Sequence, residues 1–170
     1  MNEYIKTIIS KLLKSKITED SFIQKYEKEK KENIDELYIK KLIKRAMQFK
    51  NADEIEEALV LIYSGKYNNS VYIEELCSVL LESWHFKHED IVRILHELKD
   101  PYTADSLFKV ANMHLDYLDY DDTYQLARKS IKALAAIGNP DALDKLKFFS
   151  NSKLSIISDY AKKELKNIGL

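Results

Sequence analysis

Apolar residues recur along this chain at spacings of three and four, the period that draws one stripe down an α-helix. Tyr4, Ile5, Ile8, Ile9, Leu12 and Leu13 form the first stripe. Phe22, Ile23 and Tyr26 mark a short second helix, for which Thr18 is the predicted N-cap. That helix runs into the mixed-charge stretch 28–32, read as a solvated helix end. Ile34, Leu37, Tyr38, Leu42, Ile43, Ala46 and Met47 make a third stripe. Ile55, Ala58, Leu59, Ile62 and Tyr63 make a fourth, and Gly65 stands where a left-handed residue would end it. Residues 66–70 read as a loop, with Ser70 as the cap of a helix bearing Ile73, Leu76, Cys77, Leu80 and Leu81. A turn at 84–88 precedes a helix with Ile91, Ile94, Leu95 and Leu98. Four more helices follow, which makes ten in all and no β-sheet.

The last four helices repeat one unit. Asp100-Pro101 and Asn139-Pro140 stand 39 residues apart and share a helix-start chemistry. The Asp or Asn side chain caps free N–H groups, and proline follows where it forfeits no hydrogen bond. Asp105 matches Asp144 at the same offset, and Leu107 matches Leu146. The closing segments 134–138 and 165–169 also correspond, each ending in Ile-Gly. Two helical hairpins are predicted, 102–137 and 141–168, with helices over 102–116, 122–137, 141–150 and 153–168. A weaker first copy pairs the helices near 70–81 and 91–98. One helical hairpin cannot bury its own apolar face, so the units are expected to stack. The predicted fold class is all-α: a short right-handed solenoid of HEAT-like hairpins over 70–170, with an N-terminal helical cap over 1–69, in a single domain.

The segment 137–146, Ile-Gly-Asn-Pro-Asp-Ala-Leu-Asp-Lys-Leu, resembles HEAT-like repeats of the phycobilisome-lyase type. Ile137 stands where those repeats usually have Leu. The resemblance is specific over 100–170, extends more loosely over 70–99, and does not reach 1–69. It describes a repeat type and implies no lyase activity. The chain as a whole resembles small bacterial HEAT-repeat proteins, through Trp84-His85, the acidic turn 117–121 and Ala127-Arg128-Lys129. Several of those resemble immunity proteins, which implies a protein partner that is a toxin.

Composition agrees with helices, since three glycines and two prolines in 170 residues leave few turn formers. Cys77 lies among apolar neighbours and is expected to be a buried small residue rather than a nucleophile. No apolar run approaches the ~20 residues of a membrane span, and the first residues lack a secretory layout, so a cytoplasmic location is expected. Charge is unevenly distributed. Residues 1–50 carry net +5, residues 51–122 net −11 and residues 123–170 net +5. An acidic middle points to a cationic protein partner, not to nucleic acid or a membrane.

Two stretches are candidates for partner binding. Residues 116–122 hold Asp116, Tyr117, Asp119, Tyr120, Asp121 and Asp122, with no base among them. Tyrosines offer large contact area at low entropic cost. One of Asp121 and Asp122 is also expected to cap the helix that follows. The second stretch holds Trp84, His85, His88 and Glu89, expected on the same edge. His85 and His88, three apart, suggest a metal-dependent enzyme as the remote alternative, but the ligand set is incomplete. The favoured local reading packs Trp84 and Phe86 between repeats and bonds the histidines to backbone or carboxylates. No catalytic residue, metal or cofactor is expected. The two functional readings are an immunity-type binding protein and a general HEAT-repeat adaptor.

Overall fold

The computed structural model describes residues 1–170. The protein has ten α-helices, three 3-10 turns and no strand. No helix is long and apolar enough to cross a membrane. Contacts divide the chain into two compact units, Met1–Glu75 and Leu76–Leu170.

The first unit contains α1 (Glu3–Leu13), α2 (Glu19–Lys30), α3 (Glu36–Phe49) and α4 (Ala52–Ser64). Each starts at a residue whose short polar side chain accepts from the N–H three positions on. Asn2, Thr18, Asp35 and Asn51 take the amides of Ile5, Ser21, Tyr38 and Glu54. Helix α1 packs on α2, α3 on α4, and α4 also on α2. Ile5, Phe22, Ile39, Ile43, Ala58 and Leu61 lie in the core.

Two expectations fail locally. Gly65 ends α4 at φ −110°, in the extended region, not the left-handed one. Its lack of a side chain makes room for the Tyr67 ring, which a Cβ at Gly65 would meet at 1.8 Å and displace. Ser70 does not cap the next helix. Asn68 does the capping, accepting from the Ser70 amide at 3.2 Å, and a 3-10 turn, Asn69–Tyr72, leads into α5 (Ile73–Leu80). On α5, Glu75 is buried and meets Lys40 at 3.3 Å and Lys44 at 3.4 Å, two lysines one turn apart on α3.

The second unit contains α6 (His88–Leu98), α7 (Ala104–Ala111), α8 (Gln125–Ile137), α9 (Pro140–Ser150) and α10 (Ser155–Asn167). Helix α7 packs on α8, and α9 on α10. Helix α8 is the hub, since it also meets α6, α9 and α10. Its composition permits this: Ala127, Ser130, Ala133 and Ala135 are buried small residues that admit neighbours on several sides. Helix α6 packs mainly on α8. The repeated starts share a cap but not a geometry: Asp100-Pro101 opens a 3-10 turn, Pro101–Thr103, before α7, whereas Asn139-Pro140 opens α9 directly. Asp100 accepts from the Tyr102 amide and Asn139 from the Ala142 amide, each at 2.9 Å. Leu107 and Leu146 are both fully buried. Cys77 is buried as expected, and burial pushes its thiol pKa up.

The helix predicted over 102–116 stops at Ala111, and the one predicted from 122 starts at Gln125. Asn112 and the four aspartates of 116–122 are poor helix formers, and clustered carboxylates repel in a continuous helix. Leu115 instead tucks into the core, and a 3-10 turn, Asp116–Leu118, follows it. The resulting loop, 112–124, is the least regular part of the second unit.

Candidate functional site

The loop 112–124 sits over a stack of three rings. His85 and His88, three apart before and at the start of α6, bring their rings to a centroid distance of 4.1 Å, stacked. Tyr117 stacks on His88 at 5.6 Å. Both histidines are fully buried. Their hydrogen bonds follow from the chemistry of their neighbours. The Val79 carbonyl can only accept, so His85 Nε2 donates to it at 2.8 Å. His85 Nδ1 accepts from the Lys87 amide at 3.1 Å. In His88, Nε2 donates to the Glu82 carbonyl at 2.9 Å, and Nδ1 accepts from the Tyr117 hydroxyl at 2.8 Å.

Electrostatics fixes these protonation states. Burial lowers the His85 pKa, and burial together with the neighbouring His85 ring pulls His88 down to about 4. The Tyr117 phenol is pushed up to about 12 by burial and then by the Glu89 carboxylate, so it remains a donor. Two neutral imidazoles thus bridge two backbone carbonyls and the base of the acidic loop.

The outer face of this stack is aromatic and charged. Phe86 and Tyr117 meet edge to face at 5.2 Å. Together with Glu89, Asp90, Tyr120 and Lys129 they line an open recess of about 280 Å³. Phe86 is 65% exposed and Tyr120 82% exposed. Lys129 pairs with Glu89, and Arg93 with Asp90 at 3.3 Å. Asp116 and Asp119 flank His114 at 3.4 and 3.5 Å. These three can bring their ligand atoms within 4.8 Å of one another, but all are exposed.

Asp121 serves the start of α8, but not from the N-cap position: that position is Tyr124, left-handed and without a side-chain cap, and Tyr124 lies outside the helix. Asp121 Oδ1 accepts from the Thr123 amide and hydroxyl at 3.1 and 2.5 Å, and its Oδ2 from the Gln125 amide at 2.6 Å. These bonds, the Thr123 hydroxyl first, hold its carboxyl below the ordinary aspartate range. The Tyr160 hydroxyl on α10 donates to the Thr123 carbonyl at 2.9 Å, tying the end of the loop down.

The structure therefore brings the two predicted stretches together and separates their residues by role. Tyr117, Asp119, Tyr120, Asp122 and Glu89 reach the surface. His85 and His88 do not. They were expected among the residues that meet a partner, but burial makes them the support beneath that surface. Every ring nitrogen of the pair is already in a hydrogen bond, which leaves no lone pair for a metal. Trp84 stands apart from the recess and donates to Glu82 Oε2 at 2.9 Å. Phe86 was expected to pack between repeats and instead faces outward.

One polar centre escaped the sequence reading. Glu57 on α4 is 1% exposed. Its Oε1 accepts from the Tyr26 hydroxyl at 2.5 Å and meets Lys30 Nζ at 2.7 Å. The Tyr38 hydroxyl lies 3.1 Å from that of Tyr26. Burial and then the Glu57 bond push the Tyr26 pKa far up, so the phenol stays protonated. Lys30 belongs to the stretch 28–32 that reads as a solvated helix end, and here it is drawn onto a buried carboxylate. The missed signal was Leu61 and Ser64, four and seven residues after Glu57, which mark a second buried face of α4. No family model, curated protein or solved structure matches the chain.

Proposed function

We propose that this chain is a non-enzymatic protein-binding module that engages a basic partner through the acidic-aromatic face of its second unit. One observation carries the reading. Phe86, Tyr117 and Tyr120 gather on one face beside the paired charges Glu89–Lys129 and Asp90–Arg93, next to the aspartates of the loop, and a buried, fully hydrogen-bonded His pair holds that face from below. Rigid aromatic contact area supplies residence time, and the acidic surround speeds encounter and selects partners of opposite charge. The resemblance to bacterial immunity proteins adds the class of partner: a toxin that the chain neutralises. The HEAT-like reading of the fold belongs to the same proposal. Supporting it are the packed pairs α7/α8 and α9/α10 and the corresponding buried leucines Leu107 and Leu146.

The test is co-expression with the product of the adjoining gene, followed by binding kinetics on the purified pair. Changing Asp119 and Asp122 to Asn should lower the on-rate and flatten its salt dependence. A stable complex whose kinetics ignore these changes and Tyr120→Ala would move the interface off this face. Growth protection by the chain against the adjoining gene's product separates the immunity reading from a general adaptor.

A further inference from the structure

A second recess lies under the same loop and has a different lining. It measures about 210 Å³ and is walled by α7, the loop and the start of α8. Its apolar part includes Val110, Leu115 and Leu126, all nearly or fully buried residues. Asp119, Asp121 and Asp122 also line it, and no lysine or arginine does. Tyr124, held in the left-handed region at φ +52°, adds an aromatic ring. An apolar lining that meets carboxylates matches one kind of side chain: an aliphatic stem that ends in a cation.

We infer that this recess is a socket for an arginine side chain of the partner, with the methylene stem against Val110, Leu115 and Leu126 and the guanidinium among Asp119, Asp121 and Asp122. The inference rests on the binding reading above and adds its anchor. Arginine suits the lining better than lysine does. Its planar, weakly hydrated head bonds to several carboxylates at once and stacks on an aromatic ring. Charge complementarity selects the occupant, because the lining presents three carboxylates, with His114 as its sole basic side chain.

The probe is n-butylguanidinium, added to the full chain while methyl NMR signals are followed. The expected result is saturable shifts of the Val110, Leu115 and Leu126 methyls. Neutral n-butylurea and stemless guanidinium should bind at least about tenfold more weakly, since each lacks one half of the recognition. Asp119→Asn combined with Asp122→Asn should weaken butylguanidinium by about tenfold, with loss of two near-surface attractions. Asp121 is left intact because it holds the loop. Shifts that do not saturate, that miss these methyls, or that persist undiminished with butylurea or in the double variant would overturn the socket. If Tyr120→Ala still weakens the partner complex in that event, the face survives and only the socket is lost. If neither responds, both readings fall.

Discussion

The two units each bury a polar cluster, and they use it differently. In the first, Glu57 is enclosed with Tyr26 and Lys30, and Tyr38 completes the chain of hydroxyls. The cluster ties α2, α3 and α4 together and displays nothing of its own. In the second, His85 and His88 are held neutral, and the network continues through Tyr117 into the exposed loop. A buried carboxylate demands partners around it, because an unpaired charge inside costs several kcal/mol. A neutral imidazole is less demanding: one donor and one acceptor satisfy it. The histidine pair can therefore end at a surface tyrosine, where the carboxylate cluster must close on itself. The lesson is that a buried polar group's charge state decides whether it seals a core or props up a surface.

The largest test of this contrast is Glu57→Ala. It leaves the Tyr26 hydroxyl and Lys30 without their acceptor and opens a cavity, so unfolding stability should fall by about 4 kcal/mol. Urea denaturation measures it, and partner binding by the protein that remains folded should be unchanged. A loss below about 1 kcal/mol would mean that the cluster does not hold its helices together.

Acid should separate the units next. The unfolded His88 titrates near its ordinary value of 6.5 and the folded one at about 4. Between those values the unfolded chain binds more protons, so stability is lost as pH falls from about 6.5 to about 4. For His88 alone the loss should approach 3 kcal/mol, with His85 acting in the same direction. Urea midpoints measured across this window should slope accordingly, and His88→Gln should flatten the slope. A pH-independent midpoint in the parent chain would contradict the buried neutral pair.

A smaller effect is expected at the exposed end of the network. Tyr120→Ala should speed dissociation of the partner complex by about 2 kcal/mol if the ring is an anchor, with no change in unfolding. Tyr117→Phe sharpens the comparison most finely, because Tyr117 belongs to both the interior and the surface. Loss of its bond to His88 Nδ1 should cost about 1 kcal/mol of stability at neutral pH. The acid-sensitive window should also narrow from its lower end, since the folded neutral imidazole loses a stabilising donor while the unfolded value is unchanged. A stability curve identical to that of the parent at every pH would show that the hydroxyl does not hold the ring.

Local rules in the sequence determined the helices and their starts. Periodic apolar residues, Thr18, Asp100 and Asn139 act within a turn or two of the chain, so their consequences are legible without tertiary structure. The burial of Leu107, Leu146 and Cys77 followed from the same stripes. The acidic-aromatic loop was also visible, as was a role for Asp121 near the start of α8, though not the left-handed Tyr124 that stands at the N-cap position. Tertiary structure alone decided which polar side chains go inside. Leu61 and Ser64 hint at the face that Glu57 shares, but no local rule names the partners that make its burial tolerable. The fates of Glu57 and Lys30 depend on α2 and α4 meeting, a contact between residues about 30 apart. The stripe on α4 hid a second buried face because a helix packed on two sides has no single periodic signature. His85 and His88 looked like candidate contact residues for the same reason. Their spacing is local, but the carbonyls of Val79 and Glu82 and the hydroxyl of Tyr117 that claim their nitrogens converge only when the chain folds.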